Sequence, residues 1–390
     1  MERIPLSRPS ISPLEKLRVA SVLESGRLAL GPEILEFEDR MSIAAGTDYA
    51  VATNSGTSAL HIILVALGID QKDEIITTPF SFVASSNAAL FCGARPIFVD
   101  IDANTLNIDP GAIEAAINDS TRGIIGVDVF GVPADWTTIE NIAERHGLVV
   151  VDDACEALGA TIDGRKIGSF GDAASFGYYP NKQITTGEGG CVTTNSGELA
   201  EVMRSLRNQG RSNSAVMNHV RLGYNYRMNE LSAALGNAQL ERLDELLNKR
   251  RAKAQYYSEL LAPYADEIST PSLSTDYKRS WFVYVIQLAP DYSGTERDQV
   301  MQGLRNKGIE CAPYFPCIHL QPYYVEQFGY RRGMFPVAES ISDRSIALPF
   351  YPEISSQDQE RVVQGLLAEV STLHARTTVR DVAFGSQKQM

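Results

Sequence analysis

Cysteine is scarce and unordered in this chain. The five present, Cys92, Cys155, Cys191, Cys311 and Cys317, include no CxxC pair. An odd, scattered set excludes a disulfide framework and reads as buried free thiols in a reducing compartment. Histidine is equally thin, and the five in the chain show no metal-ligand spacing, so no metal is expected. No run approaches the ~18 apolar residues that a membrane helix needs. The opening MERIPLSRPS lacks the apolar core of a signal peptide. Positive charge is also short, with 35 Lys and Arg against 48 Asp and Glu and a net charge of −13. That balance argues against a general nucleic-acid or anionic-membrane binder, although a few local cations can hold an anionic small substrate. The expectation is a cytoplasmic protein without nucleic-acid or membrane partners.

What is present is 390 residues, 44 % hydrophobic and 21 % charged, enough for a large domain and a smaller one. The first two-thirds alternates helix and strand patterns, which predicts an α/β fold. Amphipathic helices are expected over 13–23 and 33–44, and Leu60, Ile63, Leu64 and Leu67 have helical spacing. Short apolar runs at Glu74–Thr77, Pro96–Val99, Gly123–Val127 and Leu148–Val151 read as strands, with helices at 82–91, 110–117 and 135–146 between them. The run Leu148–Val151 has no alternation, as in a strand buried on both faces of a mostly parallel sheet. Strand signals follow at 173–178 and 190–194, then one long helical pattern over 229–260. Strand signals at 281–288 and 309–312, with helices near 295–307 and 355–371, predict a compact α+β unit. The expected division is a large domain over 1–250, a small C-terminal domain over 251–375, and a mobile tail over 376–390.

Three features could carry chemistry. Asn54-Ser55-Gly56-Thr57-Ser58 precedes the helix at 59–67. Small residues at a helix N-terminus present free N–H groups and the positive dipole end, a phosphate site or an ordinary cap. Asp152-Asp153 follows the Leu148–Val151 strand, at the end where open α/β sheets bind ligands. A carboxylate there could hold a protonated ring nitrogen, or merely cap a loop. Lys182 sits in SFGYYPNKQITTGEGG, among aromatics, Pro and Gly rather than charges. A desolvated lysine is a nucleophile that can form a Schiff base. Together the three suit one cofactor: phosphate at the helix, a ring nitrogen at the carboxylate, an aldehyde at the lysine.

The chain resembles the sugar aminotransferases of the DegT/DnrJ/EryC1/StrS family, within the fold-type I pyridoxal-phosphate enzymes. The resemblance runs from Ile4 to about Leu367 and is carried by NSGTSALH, TPFSFVASSNAAL, VVVDDACEALGA, YYPNKQITTGEGG and LGYNYRMNELSAALGNAQLERLD. It implies a large domain with a mostly parallel mixed sheet and a smaller α+β domain. It implies pyridoxal 5'-phosphate bound as a Schiff base on Lys182, which later moves the proton. It assigns Asp153 to the pyridine nitrogen, Gly56, Thr57 and Ser58 to the phosphate, and Phe82 to stacking on the ring. Asn225 is expected to reach the phosphate in the neighbouring subunit of a homodimer with shared active sites. Arg227 and His319 are substrate-side candidates.

Two positions depart from the family pattern. Glu156 stands beside the cofactor where many members have His or Gln. Gly177 replaces a phosphate-contacting Ser five residues before the lysine, the nearest Ser being Ser175. The DACEALGA and YYPNKQITTGEGG wording resembles perosamine-type enzymes. The implied reaction aminates C4 of a nucleotide-linked 4-keto-6-deoxyhexose, with L-glutamate as donor. Amination at C3 of a keto sugar or of an aminocyclitol precursor is the alternative within the family. A non-catalytic regulator on the same fold is the alternative outside it, and it would have no need to keep Lys182, Asp153 and the phosphate loop together.

Overall fold

The computed structural model describes residues 2–212, 218–272 and 276–385. Two helices, α1 (Pro13–Ser25) and α2 (Pro32–Ala45), precede β1 (Tyr49–Thr53). Helix and strand then alternate through α3 (Gly56–Ala66), β2 (Glu74–Thr77), α4 (Ala84–Phe91), β3 (Arg95–Phe98), α5 (Pro110–Ala116), β4 (Thr121–Val127), α6 (Trp136–His146) and β5 (Val149–Asp153). A ribbon of β6 (Thr161–Ile162) and β7 (Arg165–Lys166) leads to β8 (Ala173–Gly177), β9 (Gly190–Thr194) and α7 (Gly197–Arg207). Helices α8 (Glu230–Glu241) and α9 (Leu243–Leu261) follow. The remainder holds β10 (Ile268–Ser269), β11 (Tyr277–Lys278), β12 (Tyr284–Leu288), α10 (Gly294–Asn306), α11 (Pro322–Phe328), α12 (Pro336–Arg344), β13 (Ser345–Leu348) and α13 (Ser356–Gly385).

The main sheet has seven strands in the order β1-β9-β8-β5-β4-β2-β3. Its pairs from β3 across to β8 are parallel, and β9 runs antiparallel to both β8 and β1. β5 is buried on both faces, as its unbroken Val run predicts. Val150 faces a core that includes Trp136 and Ile139 of α6, whereas Val151 faces the one built on α3. Trp136 is fully buried, so truncating it to Ala would remove about 3–5 kcal/mol.

A second, three-stranded sheet, β10-β12-β13, packs with α9, α10 and α13 around Tyr257, Tyr284, Leu304 and Leu366. α9 crosses the expected boundary at residue 250 and serves both cores. Leu246 lies in the large one, while Ala254, Tyr257 and Leu261 lie in the second. The pattern over 229–260 is two helices, because α8 ends at a cap on Arg242, where the backbone leaves helical geometry (φ −101°, ψ 9°). The strand expected at 309–312 is reduced to isolated bridges, Ile309 to Ile4 and Ala312 to Ala347. α13 carries the backbone through most of the expected tail, and residues 386–390 lie outside the described ones.

Candidate active site

The parallel strands β4, β5 and β8 end side by side, and their last residues, Val127, Asp153 and Gly177, line a cavity of about 650 Å³. Side chains of the β8–β9 loop and the segment around Tyr314 close it from the other side. This is where an open α/β sheet offers backbone groups to a ligand.

α3 begins at this cavity. Ser55 caps it by accepting from the Ser58 N–H at 3.0 Å. Gly56 and Thr57 line the cavity, and N–H groups in a helix's first turn have no intrahelical acceptor. Glycine is required here by close packing. A Cβ on Gly56 would stand 2.9 Å from Cys155 Sγ and 3.1 Å from Gly177 Cα. The Ser58 hydroxyl instead faces Asn54 Oδ1 at 2.7 Å and reinforces the cap.

Asp153 closes β5 with only 4 % of its surface exposed. Its Oδ2 accepts from Ser85 Oγ at 2.7 Å, and its Oδ1 accepts from the Cys155 N–H at 3.3 Å and Ser175 Oγ at 3.4 Å. Ser175 therefore supports the carboxylate, and of the two β8 positions in question it is Gly177 that borders the cavity. Strand alternation sends Asp152 to the opposite face. There it accepts from the Gly168 N–H at 2.9 Å and faces Asp128, itself held by the Ala134 N–H and Trp136 Nε1 at 2.8 and 2.9 Å. Burial pushes both carboxyls up, Asp128 to about 7, as expected for two acids sharing a proton.

Lys182 lies on the β8–β9 loop, whose turns are fixed by the Lys182 N–H to Tyr179 O at 2.9 Å and the Thr186 N–H to Tyr178 O at 3.1 Å. Its Nζ stands 3.6 Å from Glu156 Oε1 and 3.9 Å from the centre of the Phe282 ring. The other Glu156 oxygen accepts from the Phe130 N–H at 2.9 Å. Phe130 has a left-handed backbone, φ 55°, uncommon for a bulky residue. Burial pushes the Glu156 carboxyl up, and the Lys182 cation partly offsets this.

The structure thus brings Gly56, Thr57, Phe82, Asp153, Glu156 and Lys182 to one cavity. Phe82 stands at its rim with an exposed ring. Asn225, Arg227 and His319 do not line it. Asn225 bridges Asn208, and Arg227 Nη1 donates to Asn208 Oδ1 at 2.9 Å. His319 is fully buried, with Nε2 3.0 Å from Glu339 Oε1. Sequence reading missed Ser85, Phe130 and Phe282. Ser85 stands in the family-like TPFSFVASSNAAL segment, while Phe130 and Phe282 carry no local signal.

A helix N-terminus, a buried carboxylate at a strand end and a shielded lysine sharing one cavity fit pyridoxal phosphate. The family model for the DegT/DnrJ/EryC1/StrS aminotransferases matches residues 9–367. The chain is 37 % identical over 367 residues to the GDP-perosamine synthase of Caulobacter vibrioides, covering 94 % of this chain and 98 % of that protein. It superposes on DesV of S. venezuelae with a TM-score of 0.87 at 33 % identity, covering 95 % and 99 % of the two chains. A putative sugar aminotransferase of Streptococcus pneumoniae, solved in its PLP form, gives a TM-score of 0.90 at 27 % identity, again covering 95 % and 99 %. The chain therefore belongs to the DegT/DnrJ/EryC1/StrS aminotransferase family and is a pyridoxal-phosphate-dependent transaminase.

Proposed function

We propose that the chain transfers an amino group from L-glutamate to C4 of a nucleotide-linked 4-keto-6-deoxyhexose. The observation that carries a reading of this kind is the convergence of Lys182, Asp153 and the α3 N-terminus on one cavity. The sugar is argued from the perosamine-like wording around Glu156 and Lys182 and from the likeness to a GDP-perosamine synthase.

In this reading Lys182 is the residue that would hold the cofactor through its aldehyde, and its free amine would move a proton at the substrate carbon as base and then acid. The N–H groups of Gly56 and Thr57 hold the phosphate. The Asp153 carboxylate, oriented by Ser85, keeps the ring nitrogen protonated. The cofactor supplies the electron sink that makes the substrate carbon acidic. Glu156 and Phe282 confine the lysine tip. Asn225 serves the neighbouring subunit's cavity, so that the working unit is a homodimer with shared sites, and the cytoplasm is its compartment.

The test is conversion of the pyridoxamine-phosphate form by a panel of nucleotide-linked keto sugars, followed by absorbance. A 4-keto-6-deoxyhexose should return the visible band of the lysine-bound form, with the new amine located at C4 by NMR. Conversion only by 3-keto sugars or cyclitol ketones would replace this reading with the corresponding alternative.

A further inference from the structure

Arg250 of α9 is a buried cation that forms no ion pair among the described residues. Its surface is 2 % exposed, and among the described residues its hydrogen-bond partners are backbone carbonyls. Nη1 donates to Phe282 O at 3.0 Å, and Nη2 donates to Lys182 O at 2.7 Å and more weakly to Asn181 O at 3.5 Å. Nε has no partner. Burial pulls its pKa down, to about 10, and the more distant Glu353 carboxylate offsets this only in part. Burying a charge this way is unfavourable, and packing alone would be served as well by an apolar side chain. What the guanidinium provides is two donors aimed in different directions from one rigid plane.

The two carbonyls it joins belong to the two residues whose side chains meet at the lysine tip. The Phe282 ring centre lies 3.9 Å from Lys182 Nζ. The fork stands on the helix that packs into both cores, between Leu246 in one and Ala254 in the other. We propose that Arg250 is a positioning residue for Lys182, tying the backbone of the lysine to the backbone of the aromatic that shields it, and so holding Nζ at the angle of attack. The reach of a four-carbon side chain is set by its backbone anchor, and a small displacement there is felt strongly at the reacting atom. An ammonium in place of the guanidinium keeps the charge but cannot hold both carbonyls in the same geometry.

The proposal rests on Lys182 being the lysine that bonds the cofactor. Full-length apoenzyme would be prepared for wild type, Arg250→Lys and Arg250→Gln. Two probes are compared on each. Binding of 4'-deoxypyridoxine phosphate, which has no aldehyde, reads phosphate and ring recognition. The rate of borohydride-trapped adduct formation with pyridoxal phosphate reads the lysine's approach. The expected result is analogue affinity within about twofold of wild type and adduct formation slowed by at least about tenfold in Arg250→Gln, with Arg250→Lys between the two. Unchanged adduct formation overturns the proposal. So does a parallel loss of analogue binding, adduct formation and melting temperature, which marks a purely structural residue. If Arg250→Gln does not fold, Arg250→Lys is judged by the same two readouts, with a threefold or greater selective slowing expected. A wild-type adduct that maps to another lysine overturns the assignment of Lys182 itself, and that result is read before any variant is compared.

Discussion

Lys182 and Glu156 meet 3.6 Å apart inside the cavity, a cation and an acid that are both shielded from solvent. Glu156 is fixed from behind by the Phe130 N–H, so the pair's geometry is set by the end of β4 and by the β8–β9 loop together.

Asp153→Asn should retain bound cofactor yet lose turnover. A neutral amide cannot hold the ring nitrogen protonated, and roughly 3–4 kcal/mol of transition-state stabilisation, about 10²–10³ in kcat, should go with it. Ser85→Ala removes only the 2.7 Å bond that orients the carboxylate and should cost about tenfold. Steady-state kinetics on cofactor-saturated protein checks both. Near-normal turnover in Asp153→Asn would take the ring-nitrogen role away from this residue.

The Asp128–Asp152 pair makes stability depend on pH. Burial raises the folded-state value of Asp128 to about 7, against 3.8 for an ordinary aspartate. A raised value means that the folded state holds the proton more tightly. The contribution of Asp128 is therefore complete below about pH 4 and is lost progressively as pH rises through about 7. Asp128→Asn supplies a permanent N–H to Asp152 and should escape that loss. Melting temperatures measured from pH 5 to 9 should shift in the variant's favour as pH rises. A difference that stays constant across the range would show that no proton is shared.

Gly56 and Gly177 face one another but should respond differently. Gly56→Ala places a Cβ 2.9 Å from Cys155 Sγ and 3.1 Å from backbone, and overpacking of this kind costs about 1–3 kcal/mol. A Cβ at Gly177 meets its nearest atoms at 3.5 and 3.7 Å, ordinary contact, without a positive φ. Gly177→Ser should fold normally. If the phosphate sits at the α3 N-terminus, the added hydroxyl should tighten cofactor binding by about 1 kcal/mol, roughly fivefold. Equilibrium dialysis of apoenzyme against pyridoxal phosphate measures the difference, and unchanged or weaker binding places the phosphate elsewhere.

Asn225 stays outside the cavity of its own chain. Lys182→Ala and Asn225→Ala should each be impaired and should complement when mixed. In a mixed dimer one site keeps its own Lys182 together with the partner's Asn225. Activity should climb toward one working site per mixed dimer once native mass spectrometry shows that subunits have exchanged. If both parents are inactive, exchange is complete and nothing returns, Asn225 acts within its own chain or has no role at the phosphate.

Much of this arrangement is legible in the sequence where local rules and tertiary demands agree. The Leu148–Val151 run reads as a two-sided buried strand and β5 is one, because apolar surface on both faces leaves few other solutions. The order of helix cap, strand-end acid and shielded lysine likewise predicts the cavity. Other parts resisted. β1, whose segment YAVAT is short, pairs with β9 far along the chain, and no local window contains that partner. α7 carries a local signal, Ser196 capping an amphipathic GELAEVMRSLR. His319 sits in a family-like segment, yet it is the fold that turns it toward Glu339. Ser85 reaches Asp153 from 68 positions away in the chain, and Phe282 and Arg250 reach Lys182 from 100 and 68 positions away, and their contacts exist only once both cores are assembled.

The β8–β9 connection has a bearing on how the site forms. Gly177 and Gly190 are cross-strand partners, so the loop that carries Lys182 starts and finishes at the same rung of an antiparallel ladder. Closing so short a loop costs little chain entropy, and the cost grows only with the logarithm of length. The lysine segment can thus take shape as a local hairpin. The Asp153 end of β5 and the α3 cap must instead be delivered by pairings between distant strands. During folding, the nucleophile's loop should be ready before the rest of its cavity arrives around it.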